Sequence, residues 1–589
     1  MIKQRLEELR LLMQQRGIDV YYIPSADFHN SEEVGEHFRA REYMSGFTGS
    51  SGCLIVTATE AVLYTDGRYF IQAEKQLANT EIKLYKMGVP DVPKKYDYVR
   101  DVIPEGGKLG FDGRVVDVKA GVKFQQKIST KNATIVYNED LVGLVWKNRP
   151  NIAFSKAFIL DEKYTGESLG DKLNRVRDEM TKMNVKVHVI NTLDDIAWLY
   201  NIRGNDIPHF PVILAYTIVT LDSAVIFVDE NKLTDEIKEL FVQNKINILP
   251  YNDIYEYVKK IAEPVLIDIE KLNYCLYANL NATKIEADNP TMLFKAIKND
   301  TEIENVRNCH IRDGVACTKF MYWLKHNKDI TEIDAQKKMT ELRREQELYI
   351  EDSFTTISAF KENAAIMHYS VTEESNVKLS DAGLYLIDSG GQYFDGTTDI
   401  TRTIAISEID STLKLHYTAV LRGMINLSCA KFLEGVTGRN LDILARGPVW
   451  DLDIDYRSGT GHGIGFVLNV HEGPNGIRWR VVPERRDSCI LKAGMITTNE
   501  PGIYIENSHG IRIENELLIQ EHAVNEYGKF LKFETITLAP IDIDAIEPTL
   551  MNQKEKDWLN EYHKLVYEKI SPYLEEKEKS WLKIYTRDI

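Results

Sequence analysis

The chain has 589 residues, with 72 Lys and Arg against 89 Asp and Glu, a formal charge of −17. That length suggests about three or four domains, and 43% apolar with 27% charged residues excludes global disorder. The acidic balance disfavours a nucleic-acid binder, which gathers Lys and Arg on one face, and no stretch approaches the ~18–20 apolar residues of a membrane span.

The first residues, MIKQRLEELRLLMQQRG, read as an amphipathic helix with Leu6, Leu9, Leu12 and Met13 on one face and Gly17 as its stop. They hold no apolar h-region and no small-residue cleavage site, so the expected location is cytoplasmic. A strand over Val20–Ile23 follows. The same order recurs in LGDKLNRVRDEMTKMNVKVHVIN, where Leu173, Val176 and Met180 precede a strand expected over Val185–Ile190. Further strand-like runs come after each, near Ala61 and near Ser223. The expectation is two related α/β domains, 1–150 and 151–297, with Pro150 and Pro290 close to their ends.

A third domain, 298–540, is expected to open on a helix capped by the Thr301-x-x-Glu304 box, with Ile303, Val306, Cys317, Met321 and Leu324 at helical spacing. From Tyr385 to about Leu518 the pattern becomes short β runs joined by Gly, Asp and Asn turns. A charged helical extension, 541–589, carries Trp558, Leu559, Tyr562 and Val566 and is expected to dock on the third domain. The fold class is thus α/β (α+β). The six cysteines (Cys53, Cys275, Cys309, Cys317, Cys429, Cys489) form no C-x-x-C pair, which argues against a disulfide framework or a thiolate zinc site. Any bound metal would use oxygen and imidazole ligands.

The third domain holds the residues that point to chemistry. YLIDSGGQYFDGTTDITRTIAI puts Asp388 at the end of an apolar strand and Asp399 in a second β run, across a turn expected at Asp395-Gly396. SGTGHGIGFVLNVHEGP places His462 among Gly459, Gly461, Gly463 and Gly465, and His471 after a β run. ITTNEPGIYIENSHGIRIENELLI offers Glu500 before Pro501, and Glu514 on a strand expected to begin at Gly510. Along that strand Ile511, Ile513 and Asn515 share one face, while Arg512, Glu514 and Glu516 share the other. Four carboxylates gathered in one place repel one another by several kcal/mol per close pair. Two divalent cations would balance them, and oxygen donors with one imidazole suit Mn²⁺, Zn²⁺ or Co²⁺. Asp395 reads as a turn residue, Glu506 and His509 as a solvated loop, and His310 and His326 as helix-face residues. From the residues alone, a metal site is indicated and the reaction class stays open.

At these positions the sequence resembles the pita-bread metallopeptidases and, within them, the aminopeptidases P (Xaa-Pro aminopeptidases). The resemblance rests on AAIMHYS, YLIDSGGQYFDGTTDITRT, GTGHGIGFVLNVHEGP, TTNEPGIYIEN and GIRIEN, with the Asp-x10-Asp and Glu-x13-Glu spacings. RAREYMSGFTGSSG and LYTDGRYF resemble a first creatinase-type domain, LDDIAWLYNIRGNDIPHFPV a second, and DWLNEYHKLVYEKI the C-terminal segment of the long cytosolic form. The resemblance implies two creatinase-type domains before a pita-bread catalytic domain. It implies a metal pair, manganese above zinc or cobalt, held by Asp388, Asp399, His462, Glu500 and Glu514, with Asp399 and Glu514 bridging. It further implies a proton-shuttling Glu500, substrate-contacting His368 and His471, and a supporting polar network of Tyr504 and Arg512. The implied activity is removal of the first residue from peptides with proline second, and the resemblance implies a homodimer. A prolidase acting on Xaa-Pro dipeptides is the runner-up. Creatinase-like C–N hydrolysis and a non-catalytic binding protein on the same fold are disfavoured by the intact ligand positions.

Overall fold

The computed structural model describes residues 1–379, 382–482 and 485–589. The chain forms two compact units, Met1–Leu160 with Glu167–Thr291, and Asp161–Gly166 with Met292–Ile589.

In the first unit the helix Ile2–Arg16 buries Leu6, Leu9 and Met13 and stops at Gly17, which adopts the left-handed conformation (φ 65°). Six strands follow: β1 (Val20–Pro24), β2 (Cys53–Thr57), β3 (Ala61–Thr65), β4 (Lys83–Lys86), β5 (Lys108–Gly110) and β6 (Thr134–Val136). Six more build a second sheet: β7 (Val187–Ile190), β8 (Ala215–Thr220), β9 (Ala224–Val228), β10 (Ile246–Leu249), β11 (Val265–Ile267) and β12 (Lys284–Glu286). The sheets run β4-β3-β2-β1-β5-β6 and β10-β9-β8-β7-β11-β12, the same order twice. Strand directions repeat too: β1–β2 and β2–β3 are antiparallel and the outer pairs parallel, and β7–β8, β8–β9 and their neighbours follow suit. The helix Leu169–Lys182 precedes β7 and buries Leu173, Val176 and Met180. β7 begins at Val187, two residues later than the expected strand start at Val185, because the Val185 N–H closes the helix end on the Met180 carbonyl at 2.9 Å.

The second unit opens on the helix Asp300–His326. Its capping box is Asn299 with Glu302, not Thr301 with Glu304: Asn299 Oδ1 accepts the Glu302 N–H at 3.0 Å, and Thr301 already lies inside the helix. Two sheets carry the chemistry-bearing residues. One has three strands, Ile357–Phe360, Leu384–Ser389 and Ile400–Ala405, in that order. The other has six, ordered Lys431–Leu433, Gly528–Thr535, Asn515–Asn525, Ile496–Asn499, Gly461–Gly463 and Glu472–Ile477. The core beneath them joins Phe320, Met321, Leu384, Ile404, Val420, Met424, Ile511 and Ile513 to Leu559, Val566 and Ile570. The last three belong to the C-terminal helix Gln553–Ile570, so the extension docks on this unit.

Arg402 ties that helix to the sheets. Fully buried, its guanidinium donates to the carbonyls of Pro540, Ala539, Thr401 and Glu514, to Asn515 Oδ1 and to Tyr562 Oη, at 2.6–3.1 Å. A buried cation is tolerated only when its donors are satisfied in this way. Among the described residues no helix is long and apolar enough to cross a membrane, and the six cysteines are free.

Candidate metal centre

The backbone delivers acidic side chains to the ends of both sheets. Asp388 is the penultimate residue of Leu384–Ser389 and lies opposite Thr401 in the antiparallel register. Asp399 stands one residue before Ile400–Ala405. The connecting hairpin pairs Gln392 with Thr397 and Tyr393 with Gly396. Its turn is therefore Phe394-Asp395, one residue earlier than expected, because Gly396 is already paired. Asp395 is a turn residue, and it is buried in an ion pair with Arg312.

His462 sits in the strand Gly461–Gly463, squeezed between two neighbours. A Cβ at Gly461 would meet the Thr498 carbonyl oxygen at 2.0 Å, so the close approach requires glycine there. His462 Nδ1 lies 2.9 Å from the Gly463 carbonyl. With the proton on Nδ1 donated to that carbonyl, Nε2 is the unprotonated nitrogen, the form that ligates a metal. The apolar stretch before His471 is not a strand: Gly465 N–H turns back to the Asn469 carbonyl at 3.0 Å, Val467 has φ 52°, and the strand starts only at Glu472. Glu500 directly follows Ile496–Asn499, and its N–H donates to the Thr460 carbonyl at 2.8 Å. Glu514 falls in the break between His509–Arg512 and Asn515–Asn525 rather than within one strand, and its N–H donates to the Thr401 carbonyl at 3.1 Å.

These stretches converge. One ligand atom each from Asp399, His462 and Glu514 lies within 4.8 Å of the others. His462 Nε2 is 3.3 Å from Glu500 Oε1 and 3.5 Å from Asp399 Oδ2. Thr401 donates its hydroxyl to Glu514 Oε2 at 2.7 Å, and Thr498 donates to Glu500 Oε1 at 3.1 Å. Arg512 reaches Asp388 Oδ2, Tyr504 Oη at 2.7 Å and Thr401 Oγ1 at 3.1 Å. The ring of His471 packs edge-on against that of His462, centroids 4.3 Å apart. His368 is half-buried in the segment after the 3₁₀ turn Lys361–Ala365. That turn packs on the strand carrying Arg512.

The charge balance of the cluster is strongly negative. Burial, and then the neighbouring charges of Glu514, Asp388 and Glu500, push Asp399 well above the usual carboxylate range. Glu514 is raised by burial, Glu500 and Asp388. Burial raises Glu500 as well, with Arg512 opposing. Burial alone would weaken Arg512 as a cation, but Tyr504, Asp388 and Glu500 hold it charged. Burial pushes the Tyr504 hydroxyl up to about 12, against the pull of Arg512. Asp388 Oδ1 and Glu514 Oε1 are buried without a hydrogen-bond partner. Unpaired buried carboxylate oxygens cost free energy unless a cation meets them. Four carboxylates, two of them with an orphaned oxygen, and one imidazole form a donor set suited to hard or borderline divalent cations.

Further residues join the site from outside the motif. Glu516 Oε1 accepts the Asp399 N–H at 2.7 Å, and its other oxygen faces His310 Nε2 at 3.2 Å. The alternation of Arg512, Glu514 and Glu516 already carried the signal for Glu516. His310 lies on the helix Asp300–His326, as its helix-face reading has it, and is fully buried there against Glu516. His509 is likewise no solvated loop residue: it is buried on the strand His509–Arg512 and pairs with His416, Nε2 to Nδ1, at 2.9 Å. Glu506 and His326 are exposed. Thr401, Thr498 and Arg402 had no sequence signal, since a threonine or arginine in a β run has many roles.

Comparison with known proteins agrees over the whole chain. Models of the creatinase/prolidase N-terminal domain match residues 5–142 and 148–302. The model of metallopeptidase family M24 matches 304–521, and that of the C-terminal region of peptidase M24 matches 529–589. The chain is 38% identical to Aminopeptidase P2 of Arabidopsis thaliana, covering 100% of this chain and 89% of that one. It is 37% identical to Xaa-Pro aminopeptidase 1 of Dictyostelium discoideum, covering 99% and 96%. A crystal structure of X-prolyl aminopeptidase from Caenorhabditis elegans, described as a cytosolic enzyme with a di-nuclear active site, matches with TM-score 0.94 at 34% identity over 100% of both chains. A prolidase from Thermococcus sibiricus shares the fold at TM-score 0.51 and 19% identity, over 64% of this chain and 98% of that one.

Proposed function

The chain belongs to the aminopeptidases P of metallopeptidase family M24, and from that premise we propose that it is a metal-dependent aminopeptidase. It removes the first residue from peptides with proline in second position. The observation that carries the reading is the convergence of Asp388, Asp399, His462, Glu500 and Glu514, with orphaned carboxylate oxygens, in a chain similar over its full length to Xaa-Pro aminopeptidases.

In this reading those five residues would hold two divalent ions. Manganese is the favoured identity, since the donors are mostly oxygen. Bound there, the ions supply Lewis-acid polarisation of the scissile carbonyl and a water acidified toward hydroxide at neutral pH.

The protein's own groups do the remaining work. An Xaa-Pro bond is a tertiary amide whose nitrogen carries no hydrogen and must gain a proton to leave. Glu500 accepts the proton of the attacking water and returns one to the proline nitrogen; Thr498 keeps its carboxylate oriented. His471, packed against His462, and His368 donate hydrogen bonds to the carbonyl oxygen as negative charge develops on it. Arg512 fixes Asp388 and Tyr504, so the carboxylate keeps its direction before and after turnover.

The Asp399→Asn and Glu514→Gln variants test the ligand assignment through metal content as well as activity. A prolidase would prefer Xaa-Pro dipeptides, whereas this reading expects Xaa-Pro-Yaa and longer peptides to be cleaved. A non-catalytic relative would bind no metal pair and cleave none of them. The reading also carries a homodimer, checked by light scattering, and a cytosolic location, in line with the description of the nematode protein.

A further inference from the structure

His368 sits in a segment between the strands Ile357–Phe360 and Leu384–Ser389 whose own regular structure, among the described residues, is the short turn Lys361–Ala365. What organises this segment is one carboxylate. Glu332 begins the helix Glu332–Arg344 and is fully buried. Its Oε1 accepts from the Phe360 N–H at 2.6 Å and from Asn363 Nδ2 at 3.0 Å. Its Oε2 accepts from Tyr369 Oη at 3.1 Å, from Asn363 Nδ2 at 3.2 Å and from the Val377 N–H at 3.4 Å. The donors lie at the start of the segment, within it, directly after His368 and near its end.

None of these partners is a cation. A buried carboxylate without one is costly, so its hydrogen bonds must offset the desolvation, helped by the helix N-terminus it occupies. A second contact fixes the segment from the opposite side. A Cβ at Gly510 would stand 1.8 Å from the Ala364 carbonyl oxygen, so the turn sits directly on the strand His509–Arg512, two residues before Arg512. His368 is held between these two anchors, Glu332 through its neighbour Tyr369 and Gly510 through Ala364.

We propose that Glu332 is a positioning residue for His368, setting the loop so that the imidazole meets the substrate carbonyl. The proposal rests on the reading of His368 as a substrate contact. It accounts for the need for a carboxylate: four donor groups converge, and an amide in the same space would turn one N–H₂ toward donors and leave at least one of them unpaired.

A double-mutant cycle on the full-length, metal-loaded enzyme tests it, with kcat and KM measured on an Xaa-Pro-Yaa tripeptide for wild type, Glu332→Gln, His368→Ala and the pair. The expected result is a fall of about 10- to 100-fold in kcat/KM for Glu332→Gln at unchanged metal content. In the His368→Ala background the same change should cost less than about twofold. Tyr369→Phe removes a single donor, keeps the ring packed and should show the same loss of effect in that background if the Gln variant does not fold. Equal, additive losses in both backgrounds, or full activity of a folded Glu332→Gln protein, would overturn the proposal. Full activity of His368→Ala would remove its premise, an outcome separate from additivity.

Discussion

The backbone N–H of Asp399 donates to Glu516 at 2.7 Å, although 117 positions separate the two residues. Glu516 in turn has His310 beside its second oxygen, and both side chains are fully buried. Glu516 thereby fixes the peptide unit from which the Asp399 carboxylate reaches His462 and Glu514. Glu516→Ala strands a buried N–H, a cost of about 1–3 kcal/mol. It should weaken Mn²⁺ binding to the stripped protein by about 10- to 100-fold, the range for residues that support ligands. Calorimetric titration of wild type and variant measures this, and equal affinities would remove Glu516 from the site.

Asp399→Asn and Glu514→Gln each delete one negative charge from the centre of the cluster. Both should lose bound metal on dialysis and lose peptide hydrolysis by at least about a hundredfold. Elemental analysis alongside the assay separates loss of metal from loss of fold. A metal-depleted variant that still cleaves would contradict the ligand assignment.

Arg402 and Tyr562 predict a stability link between the C-terminal helix and the catalytic strands. Tyr562 Oη accepts from Arg402 at 3.1 Å and donates to the Ala539 carbonyl at 2.8 Å. Tyr562→Phe should cost about 1–2 kcal/mol, mostly through the buried Ala539 N–H and carbonyl that lose the hydroxyl. Arg402→Leu should cost more, about 3–5 kcal/mol. Urea midpoints rank the two, and hydrogen exchange should show the helix Gln553–Ile570 opening first.

His563 sets a pH dependence. It is fully buried, and its Nε2 accepts the Ile541 N–H at 3.1 Å, which requires the neutral ring. Burial, then the charge of Arg402, lowers its pKa from 6.5 to about 3. As pH falls below 6.5 the unfolded chain takes up the proton while the folded chain does not. The stabilisation is therefore whole above about 6.5 and is lost progressively toward 3, about 2 kcal/mol of it by pH 5. Urea midpoints at pH 7 and pH 5 should fall less in His563→Gln than in wild type. Parallel falls would show that other groups govern the acid limb.

Much of this arrangement is legible in the sequence because period-two alternation survives a break between strands. Ile511 and Ile513 are buried in the core, and Arg512, Glu514 and Glu516 all reach the Thr401–Asp399 side. The glycines around His462 likewise announce close backbone packing. Other features escape for physical reasons. Asn299 and Thr301 both stand three residues before a Glu, and spacing cannot choose between two valid caps. His310 reads only as a helix-face residue; its burial, with Asp313 and Gly314, depends on what the tertiary fold packs against that face. The run before His471 has strand composition, yet a tight turn at Gly465 claims its backbone. Arg402 is one arginine in a β run, and its partners come from three other stretches that only the tertiary fold brings together.

The central claim is that this chain cleaves Xaa-Pro bonds through a metal pair held by five side chains. The most direct test is hydrolysis of a series from Xaa-Pro to Xaa-Pro-Yaa and longer peptides by the metal-stripped protein, before and after addition of Mn²⁺. The account predicts no release of the first residue without metal, recovery at two equivalents per chain, and cleavage of the tripeptide and longer members only where proline is second. Cleavage by the stripped protein, or activity confined to the dipeptide, would contradict it.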